Sequence, residues 1–281
     1  MSTLTTASRS RQTVLGYPVD VVDETVALQI VEDAWRNPKP LHVVTLNAEM
    51  VIAAQQDQTL DRIVRHAHLI IADGSGVVWA LRLAGSHVDR LPGIELASAC
   101  LAQAAKGNRR VALIGGKPET LAKNLELLPK IHPGLNIVAS HHGYFTSEED
   151  EGVVRGIAEA SPELVLVALG VPKQEYFIEK WQSVFSKAVL IGVGGSFDVW
   201  AGNVKRAPAA FRKVHCEWLY RLLAEPWRFK RMSSALPAFA MQVLNDLAKK
   251  KLTVSDPHPE KRSFSRKKKK HDKRKERSKD Q

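Results

Sequence analysis

The sequence predicts an α/β fold in which a parallel β-sheet is covered by helices on both faces. Short apolar runs alternate with helical apolar patterns between residue 41 and about residue 200, and this alternation is typical of parallel sheets. Each of these runs ends in polar or glycine-rich residues, as expected where a strand leads into a loop. After Pro208 the strand patterns stop and helical patterns continue. The 281 residues suffice for one large α/β domain or two small ones.

The segment before the first buried strand predicts a hairpin and a helix. Residues 14–20 form the hairpin around Gly16, and Pro18 restricts its strand to an edge because proline has no N–H to donate. Asp23 is the predicted N-cap of the helix, whose apolar residues between positions 26 and 34 recur at helical spacing.

Six short apolar runs are predicted to form the parallel sheet. They cover residues 41–47, 69–72, 110–114, 135–140, 164–169 and 188–193. Helices are predicted between these strands, over residues 48–56, 60–66, 94–106 and 118–128, with others beginning near residues 76, 147 and 175. Three helical patterns follow the last strand, over residues 211–223, 226–232 and 236–250.

The positive charge of the chain is concentrated at its end. Residues 249–281 hold fifteen of the 41 Lys and Arg residues but only five of the 30 Asp and Glu residues, so they carry +10 of the net charge of +11. The composition divides the chain into a leader (1–12), a core (13–208), a helical appendage (209–250) and a basic tail (251–281). We expect the leader and the tail to be disordered, because they are polar or densely charged.

Cysteine usage and the distribution of apolar residues indicate the cellular compartment. Cys100 and Cys216 are far apart and form neither a disulfide framework nor a metal-ligand spacing, which fits a reducing cytoplasm. The first twelve residues have no apolar segment typical of a signal peptide. We expect no membrane-spanning helix, since the sequence has no run of 18 apolar residues.

One carboxylate, Asp73, stands at a predicted strand end. The apolar run 69–72 is followed by Asp73-Gly74-Ser75-Gly76 and then by a helical pattern. Ligands of open α/β sheets bind at the carboxyl ends of the strands, and the glycines permit a tight turn and a close approach of a ligand. The alternative interpretation is that Asp73 only caps the following helix.

The other predicted strands of the sheet also end in candidate binding residues. These residues are Thr45, Asn47, Gly115, Gly116, Gly143, Tyr144, Gln174 and Gly194 to Asp198. A parallel sheet brings them to one edge, where glycine turns at helix N-termini suit phosphate oxygens. A phosphorylated ligand is therefore predicted, although each glycine turn can also be simple chain punctuation. The turn at Gly115 has neither G-x-G-x-x-G nor G-K-[ST], which disfavours nicotinamide dehydrogenases and nucleotide triphosphatases.

The sequence predicts acid/base chemistry without a metal or a cofactor. No cluster of His, Cys and carboxylate residues indicates a metal site. His141 and His142 are adjacent and are expected to point to opposite faces of a strand, which favours structural or solvent-facing roles. A single carboxylate, phosphate-binding turns and amide side chains fit proton transfer on a phosphorylated substrate.

Nine ordered motifs resemble one family of enzymes. The motifs are Thr45-x-Asn47, Ala72-Asp73-Gly74-x-Gly76, Arg90-x-x-Gly93, Gly115-Gly116, His142-Gly143-Tyr144-Phe145, Gly170-x-Pro172-Lys173-Gln174-Glu175, Gly192-Val193-Gly194-Gly195-x-Phe197-Asp198, Gly202-x-x-x-Arg206-Ala207-Pro208 and Glu217-Trp218-x-x-Arg221-x-x-x-Glu225-Pro226-x-Arg228-x-x-Arg231. Over about residues 14–233 the chain thereby resembles the WecG/TagA/CpsF family of bacterial glycosyltransferases.

The resemblance implies an inverting transfer from a UDP-sugar to a polyprenyl-diphosphate-linked sugar, with no metal or cofactor required. Family members build wall teichoic acid linkage units, enterobacterial common antigen, and capsular or exopolysaccharides. N-acetylmannosamine is the expected donor sugar, although uronic acid and hexose donors occur across the family. The implied fold is a Rossmann-like core of the class E glycosyltransferase type with a C-terminal helical appendage.

The resemblance also assigns roles to residues. Asp73 matches the general base. The residues that match substrate-binding positions are Thr45, Asn47, Arg90, Gln174, Arg221, Arg228 and Arg231. Those on the nucleotide side are Gly115, Gly116, Tyr144, Gly194, Gly195 and Asp198. Asp198 has the alternative of a turn residue. The arginines suit a diphosphate because a guanidinium binds two oxygens at once, with a solvated basic face as the alternative.

The tail and the lipid-linked acceptor together indicate where the protein works. Residues 266–270 are five consecutive basic residues, which would gain about 1 kcal/mol per cation near an anionic bilayer and would also attract nucleic acid. Membrane adsorption or plain solubilisation is favoured over nucleic-acid binding. We expect a cytoplasmic enzyme on the inner face of the membrane, either a monomer or a homo-oligomer. The alternative is a non-catalytic module that binds nucleic acid or membrane through its tail.

Overall fold

The computed structural model describes residues 9–86, 88–205, 207–208, 211, 220 and 229–248, the last range with side chains from residue 232 onward. The strands are β1 (Ser10–Val14), β2 (Tyr17–Val21), β3 (Leu41–Leu46), β4 (Leu69–Ala72), β5 (Arg110–Gly115), β6 (Asn136–His141), β7 (Leu164–Ala168) and β8 (Val189–Gly192). The helices are α1 (Glu24–Arg36), α2 (Ala48–Gln56), α3 (Gln58–His66), α4 (Ser75–Leu83), α5 (Gly93–Lys106), α6 (Pro118–Ile131), α7 (Asp150–Glu159), α8 (Lys173–Trp181), α9 (Ser196–Trp200) and α10 (Phe229–Ala248).

The predicted parallel sheet is confirmed. Six strands pair in the order β4-β3-β8-β7-β5-β6, and every pair is parallel. All residues of β3, β4, β7 and β8 are buried, as expected for strands covered on both faces. β6 forms one edge of the sheet and is only half-buried.

The helices form two apolar layers, one on each face of the sheet. One layer consists of α1, α5, α6 and α9, whose buried residues share a single core with β3, β5, β7 and β8. The other layer contains α2, α3, α4 and α10 at one end and α7 and α8 at the other. The adjacent strands β3 and β8 lead into helices on opposite faces, α2 and α9. Such a reversal opens a crevice at the carboxyl ends of the two strands, where ligands bind in folds of this type.

The C-terminal helix differs from its prediction. Two helices were expected over residues 226–232 and 236–250, and this division is wrong because α10 runs without a break from Phe229 to Ala248. Met232 and Ala235 are buried before Pro237, and Phe239 and Val243 are buried after it. Packing on both sides of the proline therefore holds the helix together. Of the predicted helix 211–223, the structure describes only residues 211 and 220. The tail 251–281 lies entirely outside the described residues.

α10 packs against α2 and α4, and its direction can be read from two contacts. The ring of Phe239 lies 3.5 Å from the point where a Cβ would stand on Gly76, at the start of α4. Further along α10, Gln242 donates a hydrogen bond to Gln55 near the end of α2 at 3.0 Å. The first turn of α10 therefore lies toward the carboxyl edge of the sheet. In the described parts of the chain, no helix has both the length and the apolarity needed to cross a bilayer.

The predicted N-terminal hairpin is confirmed and protects one edge of the sheet. β1 and β2 pair in antiparallel register, and the fully buried carboxylate of Asp20 on β2 accepts a 2.8 Å hydrogen bond from the N–H of Ile70 on β4. Arg9 and Arg11 also donate to this carboxylate. Burial alone would raise the pKa of Asp20, but the hydrogen bonds from Arg11, Arg9 and Ile70 outweigh it and lower the pKa below 3.8. An edge N–H that could pair with another strand is thus satisfied internally.

We expect Asp20→Ala to lower the free energy of unfolding at pH 7 by about 3 kcal/mol, because it leaves the buried N–H of Ile70 without its acceptor and removes the carboxylate that pairs with Arg9 and Arg11. Since the folded-state pKa is lowered, the contribution of Asp20 is present above the unfolded-state pKa and is lost as the pH falls through the folded-state value. The difference between wild type and variant should therefore shrink below about pH 3.8. Denaturant titration of both proteins at several pH values measures this difference in the free energy of unfolding.

Asp89→Ala is the control, since that carboxylate is 93% exposed and its pairing with Arg82 is a surface contact. Its removal should leave the unfolding midpoint unchanged. Equal losses in the two variants would contradict a special role for Asp20.

β5 and β7 approach each other closely at the carboxyl edge. Gly115, the last residue of β5, has φ +121°, and a Cβ built on it would lie 2.3 Å from the carbonyl oxygen of Ala168 on β7. No side chain can occupy that space without moving backbone. The glycine here is required by both its dihedral angle and its neighbour.

Gly115→Ala should therefore lower the free energy of unfolding by about 3 kcal/mol, since it combines a strained dihedral angle with a backbone clash. The matched change Gly156→Ala, in α7 where nothing lies within 4 Å of the added Cβ, should raise it by about 0.5–1 kcal/mol. Denaturant titration of both variants provides the comparison. A Gly115→Ala protein as stable as the wild type would refute the argument.

Candidate functional site

The carboxyl edge of the sheet gathers most of the predicted site residues of the core. In the order of the strands from β4 to β6, they are Asp73 after β4, Thr45 and Asn47 at the end of β3, Gly194 and Gly195 after β8, Gln174 after β7, Gly115 and Gly116 at the end of β5, and Tyr144 after β6. The site therefore spans all six strands, with the β3–β8 crevice near one end.

Asp73 is held at the strand end, and it is not the cap of α4. The N-cap of α4 is Gly74, which makes no side-chain hydrogen bond, so the alternative interpretation of Asp73 as a cap is wrong. Its Oδ1 instead accepts a 3.0 Å hydrogen bond from the N–H of Gly93, at the start of α5. Arg90 Nε donates to the carbonyl oxygen of Asp73 at 2.6 Å. The carboxylate is thus oriented by a loop twenty residues further along the chain, and it is only partly buried.

Thr45 links the Asp73 loop to the crevice. Its hydroxyl donates to the carbonyl oxygen of Gly192 at the end of β8, at 3.3 Å. A Cβ built on Gly93 would lie 2.7 Å from the Thr45 methyl carbon, so α5 begins directly against this side chain. Asp73, Gly93, Thr45 and Gly192 therefore form one continuous series of contacts.

Asn47 has a structural contact that the sequence analysis did not assign. It is the N-cap of α2, and its Oδ1 accepts a 2.9 Å hydrogen bond from the N–H of Met50. Its Nδ2 makes no hydrogen bond to the residues that the structure describes, so this donor is available to a ligand. The proximity of Asn47 to Gly74 is tight, since a Cβ on Gly74 would lie 2.8 Å from the Asn47 Cβ.

Gln174 is buried, and its amide is already bonded within the protein. Only 1% of the residue is exposed. Its Oε1 accepts from the N–H of Gly194 at 2.9 Å, and its Nε2 donates to Glu175 Oε1 at 3.0 Å. Glu175 Oε2 in turn lies 2.9 Å from His42 Nε2. The sequence analysis assigned no role to Glu175 or His42, although a histidine in a mostly apolar strand was an available signal.

The loops after β5, β6 and β7 are joined through backbone hydrogen bonds. The N–H of Gly116, with φ +69°, donates to the carbonyl oxygen of Ala168 at 3.1 Å, and the N–H of Gly143 donates to the carbonyl oxygen of Gly116 at 2.8 Å. Tyr144 follows directly and is 65% exposed. This end of the edge is therefore a fixed backbone surface beside an accessible aromatic ring.

Asp198 connects α9 to α6. Its Oδ1 accepts a hydrogen bond from the Thr120 hydroxyl at 3.1 Å, and Asn203 Nδ2 donates to the Thr120 oxygen at 2.9 Å. The backbone carbonyl oxygen of Asp198 accepts a hydrogen bond from the N–H of Asn203 at 2.9 Å. These contacts fit the alternative of a turn residue, and a uridine contact by Asp198 stays a prediction.

The C-terminal arginines are only partly covered by the structure. Arg221 and Arg228 lie outside the described residues. The backbone of Arg231 is in the first turn of α10, which lies toward the carboxyl edge. The helix thus runs in the direction that the predicted diphosphate contact requires.

Two further expectations concern His residues and metals. β6 ends at His141, and the rings of His141 and His142 lie 4.5 Å apart. The expectation that they point to opposite faces is therefore wrong, because His142 is beyond the strand.

Among the described residues, no group of three or more His, Cys, Asp or Glu side chains could hold a metal ion. Burial raises the pKa of the Cys100 thiol to about 12.

Comparison with known proteins gives a consistent assignment. The model of the Glycosyl transferase WecG/TagA/CpsF family matches residues 12–253. A Bacillus subtilis protein named N-acetylglucosaminyldiphosphoundecaprenol N-acetyl-beta-D-mannosaminyltransferase is 38% identical over 220 residues, which cover 78% of this chain and 84% of that protein. A Staphylococcus aureus protein of the same name is 38% identical over 236 residues, covering 82% of this chain and 91% of that protein.

The family match extends over most of the chain and includes the whole carboxyl edge, where the loops of all six strands carry the motifs that suggested it. The chain therefore belongs to the WecG/TagA/CpsF family and is a glycosyltransferase.

Proposed function

We propose that this glycosyltransferase moves N-acetylmannosamine from UDP-N-acetylmannosamine to undecaprenyl-diphosphate-linked N-acetylglucosamine, with inversion at the anomeric carbon. The reaction is the one in the names of the relatives from Bacillus subtilis and Staphylococcus aureus. The observation that carries the proposal is the position of Asp73, a partly exposed carboxylate at the carboxyl edge that is held by the N–H of Gly93 and does not cap α4, the helix that follows it.

Asp73 acts as the general base in this proposal. It takes the proton from the acceptor hydroxyl while that oxygen attacks the anomeric carbon of the donor sugar. The bond from the anomeric carbon to the diphosphate breaks, and UDP leaves with the electron pair. The hydrogen bond from Gly93 to Oδ1 fixes the orientation of the carboxylate, which is the requirement for proton transfer in a defined geometry.

The remaining predicted residues divide between the two substrates. Thr45, Asn47 and Arg90 surround Asp73 and would contact the sugars, while Arg90 also braces the Asp73 loop through its backbone carbonyl. On the nucleotide side, the proposal uses the turns at 115–116 and 194–195 together with Tyr144 and Asp198.

The leaving diphosphate would be stabilised by Arg221, Arg228 and Arg231. A planar guanidinium pairs with two phosphate oxygens, and a fixed cation at a site of developing charge stabilises the transition state without reorganising. The direction of α10 supports this role, since its first turn lies toward the carboxyl edge. The proposal requires no divalent metal for the same step.

We further propose that the enzyme works on the inner face of the membrane, where a lipid-linked acceptor would be found. On the outer side of α10, Met241 is 63% exposed and Leu244 is 54% exposed, and the basic tail follows the helix. Apolar side chains next to a polybasic segment suit an anionic bilayer surface. This arrangement favours a membrane surface over nucleic acid as the partner of the tail.

The purified protein should convert UDP-N-acetylmannosamine and a short-chain prenyl-diphosphate-linked N-acetylglucosamine into a lipid-linked disaccharide, and it should do so in excess EDTA. Mass spectrometry of the product and release of UDP measure the reaction. UDP-glucose and UDP-N-acetylglucosamine are the control donors. Turnover with a control donor alone would refute the donor assignment, and loss of turnover in EDTA that magnesium restores would refute the metal-independent step.

Asp73→Asn should reduce turnover by roughly 10²–10⁴-fold, the usual contribution of an acid/base group, because the amide keeps the shape and loses the basicity. Asp89→Asn, at an exposed carboxylate of the following loop, should leave turnover unchanged. Turnover is measured with saturating donor, and thermal unfolding confirms that both variants are folded. Near-normal turnover of Asp73→Asn would exclude this residue as the base.

A further inference from the structure

A buried series of polar groups lies behind the crevice. We call it the polar chain, and it consists of His42, Glu175, Gln174 and the N–H of Gly194. The three side chains are at most 2% exposed. The links are 2.9 Å from His42 Nε2 to Glu175 Oε2, 3.0 Å from Gln174 Nε2 to Glu175 Oε1, and 2.9 Å from the Gly194 N–H to Gln174 Oε1.

The chemistry of these groups fixes the direction of each hydrogen bond. When Glu175 is ionised it only accepts hydrogen bonds, so both of its neighbours then present an N–H to it. His42 therefore carries a proton on Nε2, and Gln174 turns its amide nitrogen toward Glu175. The amide oxygen of Gln174 must then face the opposite way, toward the N–H of Gly194. A reversed amide would place an oxygen against the carboxylate and an N–H against an N–H.

The polar chain ends at the turn that joins β8 to α9. Gly194 adopts φ +50° in this turn. A Cβ built on Gly192 would lie 2.4 Å from Gln174 Nε2 and 2.8 Å from Glu175 Oε1, so the amide and the carboxylate are packed directly against the end of β8. The carbonyl of Gly192 also accepts from Thr45. A change in the Gln174 amide would therefore move the middle of the site.

We propose that Glu175 and His42 are positioning residues for the transfer reaction, and that Gln174 acts through the turn at Gly194 and not through contact with a sugar. The inference rests on the proposed function for its activity assay. Glu175 selects the orientation of the Gln174 amide, and His42 satisfies and orients Glu175. The amide then holds the 194–195 turn in the conformation that binds the nucleotide side of the donor.

Exchanging the residues at positions 174 and 175 tests this proposal. Gln174→Glu alone sets two carboxylates side by side and should lower turnover by about 100-fold, the scale expected when reacting groups are misplaced. The double variant Gln174→Glu/Glu175→Gln restores every hydrogen bond. The new carboxylate accepts from the Gly194 N–H and from the new amide, whose oxygen accepts from His42. Turnover of the double variant should return to within about 10-fold of the wild type.

A direct contact between the Gln174 amide and a sugar makes the opposite prediction. The double variant lacks an amide at position 174, so it would then be as inactive as Gln174→Glu, and this result overturns the proposal. The matched control is Gln182, the C-cap of the same helix, whose amide donates to the carboxylate of Glu179 at the end of α8 away from positions 174 and 175. Gln182→Glu should leave turnover unchanged.

A pair of variants at position 42 tests the far end of the polar chain. His42→Leu removes the donor to Glu175 and should lower turnover by about 10-fold, while His42→Gln can still donate and should retain most of it. Equal losses in both variants, with thermal unfolding unchanged, would show that His42 does not act by donating a hydrogen bond.

Hydrogen exchange of the Gly194 amide gives a readout that does not depend on the donor. This N–H should be protected in the wild type and the double variant and should exchange faster in Gln174→Glu. If the wild type shows no transfer activity with UDP-N-acetylmannosamine, the proposed function fails while this measurement still decides the inference. Equal exchange in all three proteins would overturn it.

Discussion

The pairing of β3 with β8 in the sheet is the constraint on which the site depends. It pairs residues 41–43 with residues 189–191, and so it joins two strands from opposite ends of the core sequence. Because the two strands lead into helices on opposite faces, a crevice opens between their ends. Asp73 lies one strand away on one side of this pair and Gln174 one strand away on the other. Loss of this pairing would separate Asp73, the proposed base, from the turn that is proposed to bind the nucleotide.

Much of this arrangement could be predicted from the sequence, because it follows from local patterns. Buried parallel strands are continuous apolar runs, and each of the six was found within two residues of its observed bounds. Residues at strand ends such as Asp73 and Tyr144 could be assigned to one edge for the same reason. The family motifs then supplied roles, and the family assignment is confirmed by the match over residues 12–253.

The contacts that orient those residues could not be predicted, because they join distant segments. Nothing near Asp73 in the sequence indicates that its carboxylate will bind the N–H of Gly93, at the start of α5, and not the adjacent helix α4. The partners of Gln174 and Asp20 are likewise a strand turn and an edge N–H that only the sheet order brings close. The continuous helix α10 was missed because Pro237 is a strong local signal, whereas the packing that overrides it is tertiary.

The glycine contacts between β5, β6 and β7 have a mechanical consequence. Gly115 leaves no room between two backbones, and Gly116 is bonded to the loops on both sides. A ligand that pushed on one of these loops would have to displace three strands together, so the surface beside Tyr144 is stiff. Such a surface is already shaped before a ligand arrives, and little binding energy is then spent on ordering it. Adjustment to different ligands must then come from side chains such as the exposed ring of Tyr144.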